Sequence, residues 1–305
     1  MAAWTSFVDA FLDFSHGAAA MTGESLDDLP KYSPWPARLL GLEEWRTRSR
    51  TPADLEREFE REKWGSLLDR FSADETARLV DVDRWAAGTT ESSLAAFGDR
   101  LTLMTPDESH RAYVDFVADA VRPYLSATAL AEFGCGYGSV ILALAGREEF
   151  AAIPKFAADY SSSGPELVSR LAKRESVDIT TGRCDLTSSP ITSLELPAGA
   201  TIYTAYAATY VEPATAAFVT GLAALEPKVV VHIEPFYEHC DPHSTLGLLR
   251  QSYIVANGYS RNLLTILRDH ESRGEIEILE ERAPGFGPNP LLAASVIAWA
   301  PRKRS

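Results

Sequence analysis

The chain has 305 residues and a formal net charge of −14, with 46% hydrophobic and 24% charged residues. That composition belongs to a globular protein with core enough for one large or two small domains, and so acidic a balance argues against a nucleic-acid partner and favours small or cationic substrates. Three cysteines, Cys135, Cys184 and Cys240, are too few for a disulfide framework. The segment Met1 to Phe14 carries Asp9 and Asp13 but no basic stretch, so it does not read as a signal peptide. No run reaches the ~20 apolar residues of a membrane span, and the expected location is the cytoplasm.

Residues 1–104 show no strand-like alternation and are expected to form a helical cap or substrate lid. Its aromatics Trp4, Phe7, Phe11, Phe14, Trp35, Trp45, Trp64 and Trp85 read as core. Leu29 to Pro36 is a proline-punctuated connector. Thr51-Pro52 starts one helix, with Thr as N-cap and Pro at the first position. Ser72-Ala73-Asp74-Glu75 predicts a capping box for another, and Thr105-Pro106-Asp107-Glu108 for a third. That third helix puts Tyr113, Phe116, Val117, Ala120, Val121 and Tyr124 on one face.

The strongest signal follows. Leu130-Ala131-Glu132-Phe133 ends in Gly134-Cys135-Gly136-Tyr137-Gly138, and Ser139 to Ala145 then reads as a helix. A strand, a glycine turn and a helix let backbone approach a ligand closely. The third glycine comes one residue too early for a dinucleotide fingerprint, with Ser139 where that fingerprint has Gly. Glu132, an acid at the strand end, suits a cationic ligand better than a diphosphate. The pattern E-x-G-x-G-x-G resembles motif I of the class I S-adenosylmethionine-dependent methyltransferases.

The resemblance continues in order over residues 105–305. It implies an α/β, Rossmann-like fold: a seven-stranded, mostly parallel sheet with an antiparallel last strand. The second strand, Phe156 to Asp159, would place Asp159 on the cofactor ribose, with Tyr160 beside it. The third, Val177 to Thr180, leads to Asp185 near the adenine amino group, with Leu186 next. Thr201 to Ala205 and Val229 to Glu234 read as the fourth and fifth strands. Glu275 to Leu279 and Ala294 to Trp299 resemble the terminal antiparallel pair. The implied cofactor is S-adenosylmethionine. The implied cofactor-binding residues are Glu132, Gly134, Cys135, Gly136, Gly138, Asp159, Tyr160, Asp185, Leu186 and Ala205, with Arg111 and Tyr113 at the cofactor carboxylate.

Catalytic candidates lie at the ends of the fourth and fifth strands: Tyr206, Tyr210, His232 and Glu234. His232 and Glu234 share a strand face, and Glu234-Pro235 is expected to leave the strand at the pocket rim as an anchor or base for an amine. Residues 236–273 form a long insertion after the fifth strand, whose Tyr237, His239, Tyr253, Asn257 and Asn262 are candidate substrate contacts. The run Glu238 to His243 is rich in potential ligands but matches no zinc spacing, so no metal is expected. No N-P-P-Y or D-P-P-Y follows the fourth strand, which disfavours a nucleic-acid base as acceptor. The reading is a methyltransferase acting on an amine of a small molecule or peptide natural product, with some likeness to ribosomal-peptide (daptide-type) N-methyltransferases. A small-metabolite O-methyltransferase and a nicotinamide-dependent oxidoreductase are the alternatives.

Overall fold

A computed structural model describes residues 23–46 and 51–302. Its centre is one mixed sheet of nine strands, ordered β2-β1-β8-β9-β7-β6-β3-β4-β5. The strands are β1 (Ser93–Phe97), β2 (Arg100–Met104), β3 (Leu130–Phe133), β4 (Lys155–Asp159), β5 (Thr180–Arg183), β6 (Thr201–Ala205), β7 (Val229–Glu234), β8 (Ile276–Gly287) and β9 (Ala294–Pro301). Strands β7, β6, β3, β4 and β5 run parallel, and β9 lies antiparallel between β7 and β8.

The expected count of seven strands is corrected to nine. Residues 93–104, read as helical, are instead the hairpin β1–β2, which pairs with β8 through Ala96 and Phe97. Ser93 to Phe97 hides its strand character because Leu94, Ala95 and Ala96 are all buried, so no polar alternation marks it. The third strand begins at Thr180 rather than Val177, and β8 extends to Gly287 rather than ending near Leu279.

The principal helices are α1 (Trp64–Ala73), α2 (Leu79–Ala87), α3 (Pro106–Val121), α4 (Ser139–Ala145), α5 (Ser163–Glu175), α6 (Ala216–Ala223), α7 (Thr245–Ala256) and α8 (Leu263–Ser272). Strand alternation sorts the core into two layers. Leu130, Ala157, Val229 and Val231 face α3, α4 and α5 through Val117, Ile141 and Val168. Ala131, Phe133, Ile202 and Val230 face α6 and α8 through Phe218, Leu222, Leu263 and Leu267. Both faces being covered, the central strands are continuous apolar runs.

Upstream of the hairpin, the capping box of Thr51 with Asp54 forms as expected, and the chain runs from Pro52–Leu55 through a π-helical stretch, Glu56–Lys63, into α1. The expected box at Ser72 does not form. Ser72 lies in the last turn of α1, its hydroxyl donating to the Leu68 carbonyl at 2.6 Å. Asp74 instead accepts from the Thr76 N–H, and α2 starts later, where Asp81 accepts from the Arg78 N–H at 2.9 Å. The Thr105 box forms as expected, Thr105 Oγ1 accepting from the Glu108 N–H at 3.3 Å. Helix α1 packs on α5. Leu29, 1% exposed, packs with Leu94 and Leu101 of the hairpin, and Glu24 bridges to Leu101 at the outer edge of β2. Trp35 meets Trp45 and Tyr253, each at 4.4 Å between ring centroids. Trp4, Phe7, Phe11 and Phe14 lie outside the described residues. No helix among the described residues is long and apolar enough to cross a membrane.

Candidate functional site

The carboxyl ends of β3, β4 and β6 meet at the glycine turn. Gly134, Gly136 and Gly138 all have positive φ, at 79°, 55° and 81°, a region that side-chain-bearing residues avoid. Two interactions fix the turn on its strands. The N–H groups of Gly134 and Cys135 donate to the Ala158 carbonyl at 2.7 and 3.0 Å. The Gly136 N–H donates to Asp159 Oδ2 at 2.9 Å. The other carboxylate oxygen of Asp159 accepts from the Ser161 N–H and hydroxyl at 2.9 and 2.6 Å. Asp159 thus ties β4 to the turn, and Oδ2, with one donor, keeps a lone pair for another.

Glu132 points into the layer beneath the turn. Its Oε2 accepts from the Ile141 N–H at 3.1 Å and the Tyr203 hydroxyl at 2.9 Å. Burial pushes its carboxyl up to about 8, against the pull of those two donors. Cys135 and Cys184 are buried thiols, pushed up by burial first and by the Asp159 carboxylate second. Asp185 Oδ1 accepts from the Thr187 N–H and hydroxyl at 2.8 and 2.6 Å in a half-buried turn, beside the buried Leu186. The Tyr160 carbonyl accepts from Arg183. Ala205 is buried, and Tyr206 after it adopts a φ of 54°.

The fifth strand differs from the expectation. Glu234 is not at a rim: it is completely buried, Oε1 accepting from the Ala207 and Ala208 N–H groups at 3.0 and 2.9 Å and Oε2 from that of Thr209 at 3.2 Å. It holds the loop that follows β6. Burial pushes its carboxyl up to about 7 while these donors pull it down. His232 is also completely buried. The Trp299 indole N–H donates to its Nε2 at 3.1 Å, and its Nδ1 lies 2.9 Å from Thr204 Oγ1. Since the indole can only donate, Nε2 is the acceptor and Nδ1 carries the proton. Burial holds the imidazole neutral, down to about 3. With both nitrogens engaged, His232 has none to offer a substrate.

Aromatic side chains crowd the space between the turn and the loop. Tyr206 donates to the Leu292 carbonyl at 2.6 Å and meets Tyr113 at 5.6 Å between centroids. Burial raises both phenols. Tyr210 lies edge-on to Phe59 at 5.2 Å and to Tyr259 at 5.4 Å. Of the insertion residues, Tyr253 and Asn257 are buried, the Asn257 amide donating to the Tyr253 carbonyl at 3.0 Å. Asn262 clamps both backbone groups of Ala214. Tyr237 is half-buried, and His239 Nε2 lies 3.1 Å from Glu281. Asn262, His239 and Tyr253 thus tie the insertion to Ala214, Glu281 and Trp35. Among the described residues no cluster of His, Cys, Asp and Glu could hold a metal ion.

The turn is covered by a contact that no sequence signal marks, that of Trp64. A Cβ built on Gly136 would stand 2.9 Å from Cζ2 and 3.3 Å from Cε2 of Trp64. The indole of α1 therefore lies on the turn, and its Nε1, bonded to Cε2, is buried there without a hydrogen-bond partner. Glu60 fastens the same segment by accepting from the Ser162 and Ser163 N–H groups at 2.5 and 3.3 Å. Arg111, at the start of α3, is exposed, its Nε donating to the Asp107 carbonyl at 3.3 Å. The tryptophan was visible as an aromatic among charges, but nothing local in the sequence ties it to residues 72 positions later.

No family model and no curated protein matches this chain. Solved structures do. Magnesium protoporphyrin IX methyltransferase from Synechocystis PCC 6803, with bound SAH, is 13% identical with a TM-score of 0.48 over 82% of this chain and 100% of that one. Geranyl diphosphate methyltransferase, in complex with GPP and sinefungin, is 14% identical with a TM-score of 0.45 over 64% of this chain and 80% of that one. An rRNA methylase from Escherichia coli is 14% identical with a TM-score of 0.45 over 79% of this chain and 76% of that one. At such identities the likeness assigns no substrate, and the expectation of no nucleic-acid partner rests on the chain's charge and on the missing N-P-P-Y or D-P-P-Y.

Proposed function

We propose that the chain is an S-adenosylmethionine-dependent methyltransferase whose acceptor is an amine of a small molecule or peptide natural product. The observation that carries the reading is the turn after β3: three left-handed glycines at the carboxyl end of a central parallel strand, tied to Asp159 at the end of the neighbouring strand. Ligands of open α/β sheets bind beyond such strand ends. The unpartnered indole N–H of Trp64 on this turn fits a ligand that brings a hydrogen-bond acceptor. The cofactor supplies an electrophilic methyl group.

In this reading Gly134, Gly136 and Gly138 present backbone to the cofactor, Asp159 and Asp185 accept from its ribose and adenine ends, and Tyr113 and Arg111 stand toward its carboxylate. Transfer is an in-line displacement, so the protein's main contribution is position. Glu234 contributes at one remove by fixing residues 207–209, and Tyr206 and Tyr210 line the approach. An amine attacks as its free base and needs no buried base, which agrees with His232 being engaged on both nitrogens. A carboxylate-rich chain of net charge −14 favours an amine that arrives as a cation.

Calorimetric titration with S-adenosylmethionine, with NAD as control, tests the cofactor. Binding of S-adenosylmethionine by the native protein and its loss in Gly136→Val is the expected result; unchanged affinity in the variant removes the turn from the site. Mass spectrometry of amine and hydroxyl acceptors tests the rest: a gain of methyl on oxygen only would overturn the amine.

A further inference from the structure

A cavity of about 820 Å³ opens beside the glycine turn, between α1, α2 and the start of α3. Its volume suits a small organic ligand. Trp64 and Trp85 give it apolar walls, and Tyr137, the residue between Gly136 and Gly138, reaches into it from the turn. Three carboxylates line the cavity, Glu62, Asp83 and Asp107, and of these Asp83 is set into the wall, its side chain 18% exposed against 62% for Glu62 and 60% for Asp107. Asp83 Oδ1 accepts from the Tyr137 hydroxyl at 3.0 Å, and its Oδ2 lies 3.5 Å from His110 Nε2. The lining cations are directed elsewhere: Lys63 to Glu58 at 2.7 Å, and Arg111 to the Asp107 carbonyl.

We propose that this cavity binds the methyl acceptor as an organic cation, an alkyl- or arylalkylammonium, with Asp83 as counter-ion and the two indoles as walls; the bound ammonium gives its proton to water before its nitrogen attacks the methyl group. The word acceptor rests on the methyltransferase reading; the preference for a cation does not. A carboxylate drawn out of water needs a charge partner, and an ammonium against the Trp64 indole gains a cation–π contribution as well, the Trp85 ring being already covered on one side by the Arg70 guanidinium at 4.1 Å. Burial raises the Asp83 carboxyl above its ordinary value, with His110 and the Tyr137 hydroxyl pulling it the other way; His110 is a charge partner only when protonated, which leaves the carboxylate open to an incoming cation. The same tyrosine forms part of the glycine turn and bonds this carboxylate, so the cavity and the turn share a wall.

Calorimetry on the full chain tests this with phenethylamine, protonated at neutral pH, and with the anion 3-phenylpropanoate. The cation is expected to bind and the anion not. Asp83→Asn keeps an oxygen for Tyr137 and should weaken phenethylamine by about tenfold or more. Val80→Arg, at an exposed lining position, leaves the fold untouched and should likewise weaken phenethylamine. Equal affinity for the two probes, or unchanged phenethylamine binding in both variants, overturns the proposal. The two readings separate cleanly: a chain that binds phenethylamine through Asp83 but gives no heat with S-adenosylmethionine keeps the cation site and loses the methyltransferase.

Discussion

His232 and Glu234 belong to one polar chain through the core. The Trp299 indole donates to His232, His232 Nδ1 donates to Thr204, the Thr204 hydroxyl bonds the Glu234 carboxylate, and Glu234 holds three loop N–H groups. Strand periodicity placed both residues on one face, but their partners are settled by β6 with its loop and by Trp299 of β9, 67 positions from His232. A local pattern names the face and not what covers it. Titration gives His232 and Glu132 opposite signatures. His232 is held down to about 3 from 6.5, so within that window the unfolded chain binds more protons and stability rises with pH. Glu132, pushed up to about 8 from 4.5, has the reverse sign: its stabilisation is present at low pH and lost as pH rises through that range. The stability gap between native protein and His232→Phe should therefore narrow as pH falls from 6.5 toward 4, and that for Glu132→Gln should narrow as pH rises from 5 to 8. Urea unfolding across pH reads both, and parallel profiles would refute the assignment. Glu234→Gln puts an N–H where one loop N–H needs an acceptor, and should cost about 1–3 kcal/mol in the same measurement.

Among the elements, the hairpin and the segment over the turn show what patterns carry. Gly98-Asp99 between two apolar runs is a hairpin signal, and Gly98 does take a φ of 60°. The three consecutive buried residues of β1, Leu94 to Ala96, masked it by lacking alternation. The glycine turn was legible because its chemistry is contiguous in sequence. The Glu60 and Trp64 contacts were not, because a carboxylate and an indole on a charged helix look like any solvated face. Glu60→Ala should loosen residues 56–64 from the Ser162 and Ser163 amides, seen as faster hydrogen exchange there with the sheet unchanged. Gly136→Ala combines left-handed strain with the Trp64 contact, and should destabilise by about 1–2 kcal/mol or more. In a double-mutant cycle Trp64→Ala should absorb part of that cost; strict additivity would show that the indole does not press on the turn.

At the scale of the whole molecule, the central strands were legible in chain order and the mostly parallel sheet followed from the resemblance, since the strands about the glycine turn are largely apolar runs. The nine-stranded width did not, because pairing of β1 with β8 is a contact between segments about 190 residues apart, Ala96 with Gly287. That width leaves two ends. One is β5, short and polar, with Arg183 turned back onto the Tyr160 carbonyl. The other is β2, whose outer rim meets the strap from Glu24 to Leu29. An uncovered strand rim is a template for another chain, so this strap works as a guard against self-association as much as a piece of the core. Leu29→Asp should release it, and light scattering should then grow with concentration while the native protein stays monodisperse under the same conditions. A variant equally monodisperse would mean that β2 protects itself.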